Sequence, residues 1–97
     1  MLEIPVKAKL VEVYITQNGI TTKKNKCNIP IGQTYRIKKD PLYPNAIEVE
    51  HEMIPSTVLF YEEMDVKDNA LTVKRNVRVG SENPRFETFI FELEESY

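Results

Sequence analysis

The chain has 97 residues, of which 41% are hydrophobic and 29% charged, and its formal net charge at pH 7 is −2. A chain of this length can bury one hydrophobic core but not two. Its balance of apolar and charged residues is typical of a folded domain and excludes a disordered tail. We therefore predict a single domain over residues 1–97.

The cysteine content and the distribution of apolar residues bear on the cellular compartment. Cys27 is the only cysteine, so no internal disulfide can form, and a reducing compartment is expected. The first residues lack the basic start and the apolar run of a signal peptide, and no stretch has the roughly 20 apolar residues that cross a bilayer. The sequence thus predicts a cytoplasmic protein without a membrane segment.

Apolar residues recur with a period of two almost throughout the chain, which predicts β-strands and not helices. In a first strand over residues 6–16 the apolar positions change phase near Leu10, as an inserted bulge residue would cause. Asn18 and Gly19 then predict a tight hairpin turn, and a second strand follows over residues 20–29.

A third and a fourth strand, over residues 33–39 and 47–53, fit a single antiparallel register. This register places Ile37 opposite Val49 on an apolar face and opposite charges together on the other face. The further pairs that it predicts are Lys38 with Glu48, Arg36 with Glu50 and Tyr35 with His51.

The second half of the chain predicts another hairpin, with strands over residues 58–67 and 70–79 around a turn at Asp68 and Asn69. Its core face would pair Phe60 with Val77, Met64 with Val73 and Val66 with Leu71. A short helix over residues 55–64 is the alternative. A last strand over residues 87–94 would place Phe89 opposite Val77 and Leu93 opposite Val73.

Taken together, these elements predict an all-β fold. It would be a small antiparallel meander of about seven strands that either closes into a barrel or folds as a two-layer sandwich. Glu62 and Arg75 interrupt the apolar alternation at facing positions of the second hairpin. They would form either a partly buried ion pair that fixes the register or a polar spot in an apolar cleft.

No catalytic or metal-binding set can be assembled from the sequence. His51 is the only histidine, Cys27 has no base partner, and the three glycines stand apart from one another. Glu48, Glu50 and Glu52 alternate along one strand face, as on a solvated surface. We therefore predict a protein that is not an enzyme, with no metal site and no cofactor.

A group of basic residues favours a nucleic-acid surface, because two tyrosines near it are available to stack on bases. Its members are Lys23, Lys24, Lys26, Arg36, Lys38 and Lys39, and the tyrosines are Tyr35 and Tyr43. The predicted pairing of Arg36 and Lys38 with glutamates neutralises part of this surface. The negative net charge of the chain also disfavours strong phosphate binding.

The segment from Asp40 to Val49 resembles the signature of HIRAN domains, which reads close to N-P-Y-D-P-N-A-I-x-V. The matching residues are Pro41, Pro44, Asn45, Ala46, Ile47 and Val49, whereas Leu42 and Tyr43 stand at the Tyr-Asp positions of the signature. HIRAN domains are small OB-like modules that bind DNA. The resemblance thus implies a DNA-binding module whose loop includes Asn45 and Tyr43.

Two functional hypotheses follow. The first is a non-enzymatic binding module whose ligand-binding residues are Arg36, Lys38, Lys39, Tyr43 and Asn45, and the resemblance to HIRAN domains makes DNA its favoured ligand. The second is a small protein-interaction module, or an inhibitor of the kind that phages and mobile elements encode against a host or defence protein. That module would bind through an exposed sheet edge or through the acidic residues of the C-terminal half.

Overall fold

A computed structural model of the protein describes residues 6–26, 29–77 and 82–94. They form eight antiparallel strands, which confirms the all-β prediction. The strands are β1 (Val6–Gln17), β2 (Ile20–Lys24), β3 (Thr34–Lys39), β4 (Ala46–His51), β5 (Ile54–Phe60), β6 (Glu63–Lys67), β7 (Ala70–Asn76) and β8 (Arg85–Leu93). The alternative of a helix over residues 55–64 is wrong, since β5 and β6 occupy that segment. None of the described residues belongs to a helix that could span a membrane.

All eight strands belong to one sheet. Its order is β5-β4-β3-β1-β8-β7-β6, and β2 adds to β1. The runs β3–β5 and β6–β8 are each meanders, and β1 joins them. Within the described residues the two end strands do not pair, so the sheet is not closed. Leu59 of β5 and Phe89 of β8 nevertheless line a common cavity, so the two halves face each other as in a sandwich.

The first strand is bent by a bulge. Its register against β8 shifts between Leu10 and Glu12, which confirms the phase change predicted from the sequence. The segment before β3 bonds to the bent strand at this point. Leu10 N–H donates to Gln33 O at 3.0 Å, and Gly32 N–H donates to Leu10 O at 2.7 Å. Gly32 has a φ of 96°, a conformation that residues with a side chain rarely adopt.

The core combines alternate residues from both halves of the sheet, as the period of two predicted. Phe89 and Phe91 of β8 are fully buried, as are Tyr35 of β3 and Leu59 of β5. The Tyr35 hydroxyl donates to Pro30 O at 2.5 Å, which satisfies its polar end within the fold. The largest other buried side chains are Leu10, Ile37, Ile47, Leu71, Val13 and Val73.

Two predicted hairpin registers are confirmed. Ile37 opposes Val49 between β3 and β4, and Met64 opposes Val73 between β6 and β7. The predicted turns are also present, with positive φ at the central residues of each. These φ values are 54° at Asn18, 76° at Gly19, 51° at Asp68 and 64° at Asn69.

One predicted strand, over residues 58–67, is two strands. β5 ends at Phe60, β6 begins at Glu63, and the chain crosses between the sheet halves at the two residues between them. Tyr61 N–H donates to Asn45 O at 3.0 Å, whereas Glu62 N–H donates to Lys74 O at 2.8 Å. The prediction that Phe60 opposes Val77 is therefore wrong, since Phe60 lies opposite Ala46 on β4.

The predicted register of the last strand is also wrong. Phe89 opposes Val73, not Val77, and Phe91 opposes Leu71. The shift spans an even number of residues, so the predicted faces are retained. The physical reason is the second neighbour of β8, because β8 also pairs with β1 from Ala8 to Gln17 and one register has to satisfy both partners.

The predicted second and fourth strands are too long. β2 ends at Lys24 and not at residue 29. β4 ends at His51, where a two-residue turn leads directly into β5. In this turn Met53 N–H donates to His51 Nδ1 at 3.0 Å. The turn makes β5 a separate strand that begins at Ile54, whereas the predicted strand over residues 58–67 began four residues later.

The turn between β6 and β7 offers a test of the fold at Asn69, whose side-chain Nδ2 donates to Leu93 O at 2.9 Å. We expect Asn69→Gly to lower the free energy of unfolding by about 1 kcal/mol, since it removes this hydrogen bond alone. Asn69→Ala should cost about 1 kcal/mol more, because alanine also resists the positive φ. Urea denaturation measures both changes, and equal values for the two variants would contradict the assigned turn.

Candidate binding surface

Lys38 and the two glutamates opposite it dominate the outer face of β3 and β4. The Lys38 Nζ lies 2.6 Å from Glu50 Oε1 and 3.6 Å from Glu48 Oε2. The hydrogen bond to Glu50, followed by the negative charges of Glu50 and Glu48, raises the pKa of Lys38 above its usual 10.5. The lysine on which a phosphate-binding surface would depend is therefore already neutralised by its own sheet.

Arg36 lies in a shallow groove of about 530 Å³ on the outer face, beside Lys7 of β1. Three glutamates, Glu50, Glu52 and Glu94, line the same groove. Basic and acidic side chains are thus interleaved across neighbouring strands. This arrangement does not produce the one-signed field that attracts a nucleic-acid backbone.

The loop between β3 and β4 is held by its own polar groups and presents apolar side chains. Asp40 Oδ1 accepts the Leu42 N–H at 2.8 Å and the Tyr43 N–H at 3.1 Å. Leu42 is 80% exposed and Tyr43 48%. The Tyr43 ring packs edge-on against Phe60, with 5.1 Å between ring centroids and an interplanar angle of 65°. This contact joins the loop to the end of β5.

The five residues predicted to bind a ligand do not form one cluster. Arg36 and Lys38 alternate on the outer face of β3, so Lys39 belongs to the opposite face. Tyr43 and Asn45 lie in the loop, where the Asn45 carbonyl continues the β4–β5 ladder through Tyr61. Tyr43 packs against Phe60. Lys38 instead forms ion pairs with Glu48 and Glu50.

The exposed apolar edge of β5 was not predicted from the sequence. Val58 is 40% exposed and Phe60 49%, and neither was predicted to lie at the surface. Tyr61 N–H donates to Asn45 O, and hydrogen-bonded pairs alternate along an antiparallel ladder, so Leu59 directs its backbone groups to β4. Val58 and Phe60 consequently direct their backbone groups to the outer edge of the sheet.

We call the exposed side chains of Leu42, Tyr43, Val58 and Phe60, with the outer edge of β5, the β5 surface. It differs from the other outer strands in charge. β5 has no charged residue in its seven positions, whereas β6 contains Glu63, Asp65 and Lys67 and the short β2 ends in Lys23 and Lys24. Charged residues on an edge strand hinder pairing with another chain. Pro55, at the start of β5, was the one sequence signal of an edge.

Glu87 on β8 forms the ion pair with Arg75 that was predicted for Glu62, and it forms a second one with Lys24. Its side chain is 5% exposed, and Oε1 accepts the Arg75 Nε–H at 2.7 Å while Oε2 lies 3.2 Å from Lys24 Nζ. The predicted pair of Glu62 with Arg75 is wrong because the chain leaves β5 before Glu62, whose side chain is exposed. Arg75 opposes Glu87 directly in the β7–β8 ladder.

The remaining residues that the sequence singled out are His51 and Cys27. The His51 ring lies 5.6 Å from the Tyr35 ring, as the predicted pairing of these residues required. Cys27 lies outside the described residues. No three histidine, cysteine, aspartate or glutamate side chains of the described ranges are placed to hold a metal ion.

Comparisons of the chain with protein-family models, with curated proteins and with solved structures find no match. The resemblance of residues 40–49 to HIRAN domains stays a prediction that rests on those residues alone.

The ion pairs of Lys38 predict a pH dependence. Because its pKa is raised in the folded state, Lys38 contributes stability that is complete below pH 10.5 and is lost as the pH rises through the folded-state pKa. We expect Glu50→Gln to lower that pKa, as followed by an NMR titration of the Lys38 side chain. Glu52→Gln, which removes a nearby charge without a contact to Lys38, is the control. An unchanged titration in Glu50→Gln would contradict the ion pair.

The buried carboxylate of Glu87 predicts a large stability effect. Glu87→Gln leaves Arg75 and Lys24 without their counter-charge, and we expect it to lower the free energy of unfolding by about 3 kcal/mol. Glu92→Gln, at an exposed position of the same strand, should change it by about 0.5 kcal/mol or less. Urea denaturation of both variants gives the comparison, and similar values would show that Glu87 has no structural role.

Proposed function

We propose that this chain is a non-enzymatic binding module that takes up an extended segment of a protein partner along β5. The observation that carries the proposal is an uncharged edge strand with exposed apolar side chains. In β-strand addition, the backbone groups of the edge supply affinity, and contacts of alternate side chains supply specificity. On β5, Val58 and Phe60 offer both kinds of contact.

The surroundings of β5 support an apolar partner segment. Tyr43 and Leu42 extend the exposed apolar surface beyond the strand, and the edge-on contact of Tyr43 with Phe60 holds two aromatic rings in place. Aromatic side chains of this kind are enriched where proteins bind one another. A segment that pairs with β5 would cover Phe60 and Val58 and reach the Tyr43 ring.

The charge distribution weighs against DNA as the ligand. Lys38 is engaged by Glu50 and Glu48, and Lys24 by Glu87. A phosphate backbone would have to compete with these carboxylates for the same ammonium groups. The HIRAN-like loop is the remaining support for DNA, with Tyr43 as a half-exposed ring on which a base could stack.

Paired edge-strand variants test the proposal. Val58→Lys adds a charge to β5, and Val66→Lys adds the same charge to β6, where the valine is equally exposed at 40%. The wild-type chain is used to capture a partner from an extract of the source cell after nuclease treatment, and we expect one protein in stoichiometric amount. Val58→Lys should abolish this capture, and Val66→Lys should leave it unchanged. Circular dichroism checks that both variants fold. Hydrogen exchange of the complex should show newly protected amides at Val58 and Phe60.

Oligonucleotide titrations test the alternative, which is DNA binding. Single- and double-stranded oligonucleotides are titrated at low and at high salt against the wild-type chain, Arg36→Glu, Lys38→Glu and Val58→Lys. Salt-sensitive binding that Arg36→Glu and Lys38→Glu abolish and Val58→Lys leaves intact would overturn the proposal in favour of a DNA-binding module. Absence of binding at low salt would remove that alternative.

A further inference from the structure

A small cavity lies between the two halves of the sheet, on the side where the sheet is not closed. Its volume is about 90 Å³, the space of roughly three water molecules. β5 contributes Thr57 and Leu59 from one half of the sheet, and Phe89 of β8 comes from the other half. The remaining lining residues are Lys24, Ile29, Arg75 and Glu87.

The cavity lining has more positive than negative charge. Among the described residues of the lining, Lys24 and Arg75 are two cations and Glu87 is the one carboxylate. Both Glu87 oxygens are already engaged, Oε1 by Arg75 and Oε2 by Lys24. An ammonium has three N–H donors and a guanidinium five, so each cation retains donors that Glu87 does not use.

The two cations are held in place beside apolar surface. The Arg75 guanidinium carbon lies 5.3 Å from the Phe89 ring centroid, over its face. Leu59 and Ile29, both buried, line the same space. The Lys24 and Arg75 side chains are 34% and 28% exposed, and a partly buried charge interacts more strongly with an opposite charge than it does in bulk water. Thr57 of β5 is the one neutral residue of the described lining with a hydroxyl group.

Arg85 is a further cation on β8, outside the residues that line the cavity. It lies two positions before Glu87 on β8 and therefore on the same face of the strand. Its Nε is buried and has no hydrogen-bond partner, which is rare for a guanidinium nitrogen. Arg85 thus places an unsatisfied cationic nitrogen on the same strand face as Glu87.

We infer that this cavity is a binding site for one small oxyanion, a carboxylate or a phosphate group, held by Lys24 and Arg75 with the Thr57 hydroxyl. The ligand would balance the charge that Glu87 leaves uncompensated and would bridge the two halves of the sheet. Its binding should therefore stabilise the fold by mass action. The inference does not depend on the partner segment proposed for β5.

The test is a titration with sodium acetate in one arm and sodium phosphate in the other. Each salt replaces sodium chloride at fixed pH and fixed ionic strength, so that general screening stays constant. We expect a saturable rise in Tm and saturable NMR shifts of the Thr57, Leu59 and Glu87 amides. A response to acetate alone identifies a carboxylate site, a response to phosphate alone identifies a phosphate site, and a response to both identifies a general oxyanion site.

Two variants with the same change of charge provide the control. Lys24→Gln removes a cation from the cavity, and we expect it to raise the apparent Kd about tenfold, as the loss of one charged hydrogen bond does. Lys23→Gln removes the neighbouring charge, which points to the opposite face of β2, and should leave the Kd unchanged. Thr57→Val, which keeps every charge, should also weaken binding. The absence of a saturable response to either salt, or equal Kd values for Lys24→Gln and Lys23→Gln, would overturn the inference.

Discussion

The fold depends on the way in which β1 divides its pairing among three neighbours. Its first residues pair with β3 and its last with β2, while β8 follows it along the other side. A straight strand could not leave one partner for another and still bury Leu10 and Val13 in one core. The bulge between Leu10 and Glu12 adds the necessary bend. The Gln33 carbonyl and the Gly32 N–H satisfy the backbone groups of Leu10 at the bend.

A second constraint acts where β2 and β7 approach β8. Glu87 is a buried carboxylate, and it is tolerated because Arg75 and Lys24 each neutralise part of its charge. These three side chains come from three strands, so the ion pairs help to specify how the strands lie together. The same grouping creates the positively charged cavity, since two cations are needed to hold one carboxylate from both sides.

The sequence predicts local pairings well and long-range pairings poorly. The β3–β4 and β6–β7 registers follow from the apolar period and from short turns such as Asp68-Asn69, because both signals are local. Phe89 was placed on the correct face but opposite the wrong residue. The register of β8 also depends on its pairing with β1, which is far away in the sequence. A local sequence pattern cannot predict such a pairing.

The candidate surface was harder to predict than the fold for a related reason. Lys38 could be paired with Glu48 from the register alone, but the stronger contact, with Glu50, is diagonal and depends on side-chain conformation. Phe60 was assigned to the core because the apolar period of two resumes at Met64 and Val66, with Glu62 as the one interruption. Glu62 was interpreted as half of an ion pair, whereas it marks the point where the chain crosses between the sheet halves and leaves Phe60 at the surface.

The same crossing makes β5 an edge of the sheet. Tyr61 and Glu62 bond to opposite halves of the sheet, so the chain has to leave β4 immediately after Phe60, and no following segment of the described chain pairs with the outer side of β5. An edge produced only by such a crossing would be expected to acquire charged residues that prevent association, as β6 has. β5 instead retains Val58 and Phe60 and has Tyr43 packed beside it. Exposed apolar residues at an unprotected edge favour association with another chain, and the proposal of a partner segment along β5 rests on this property.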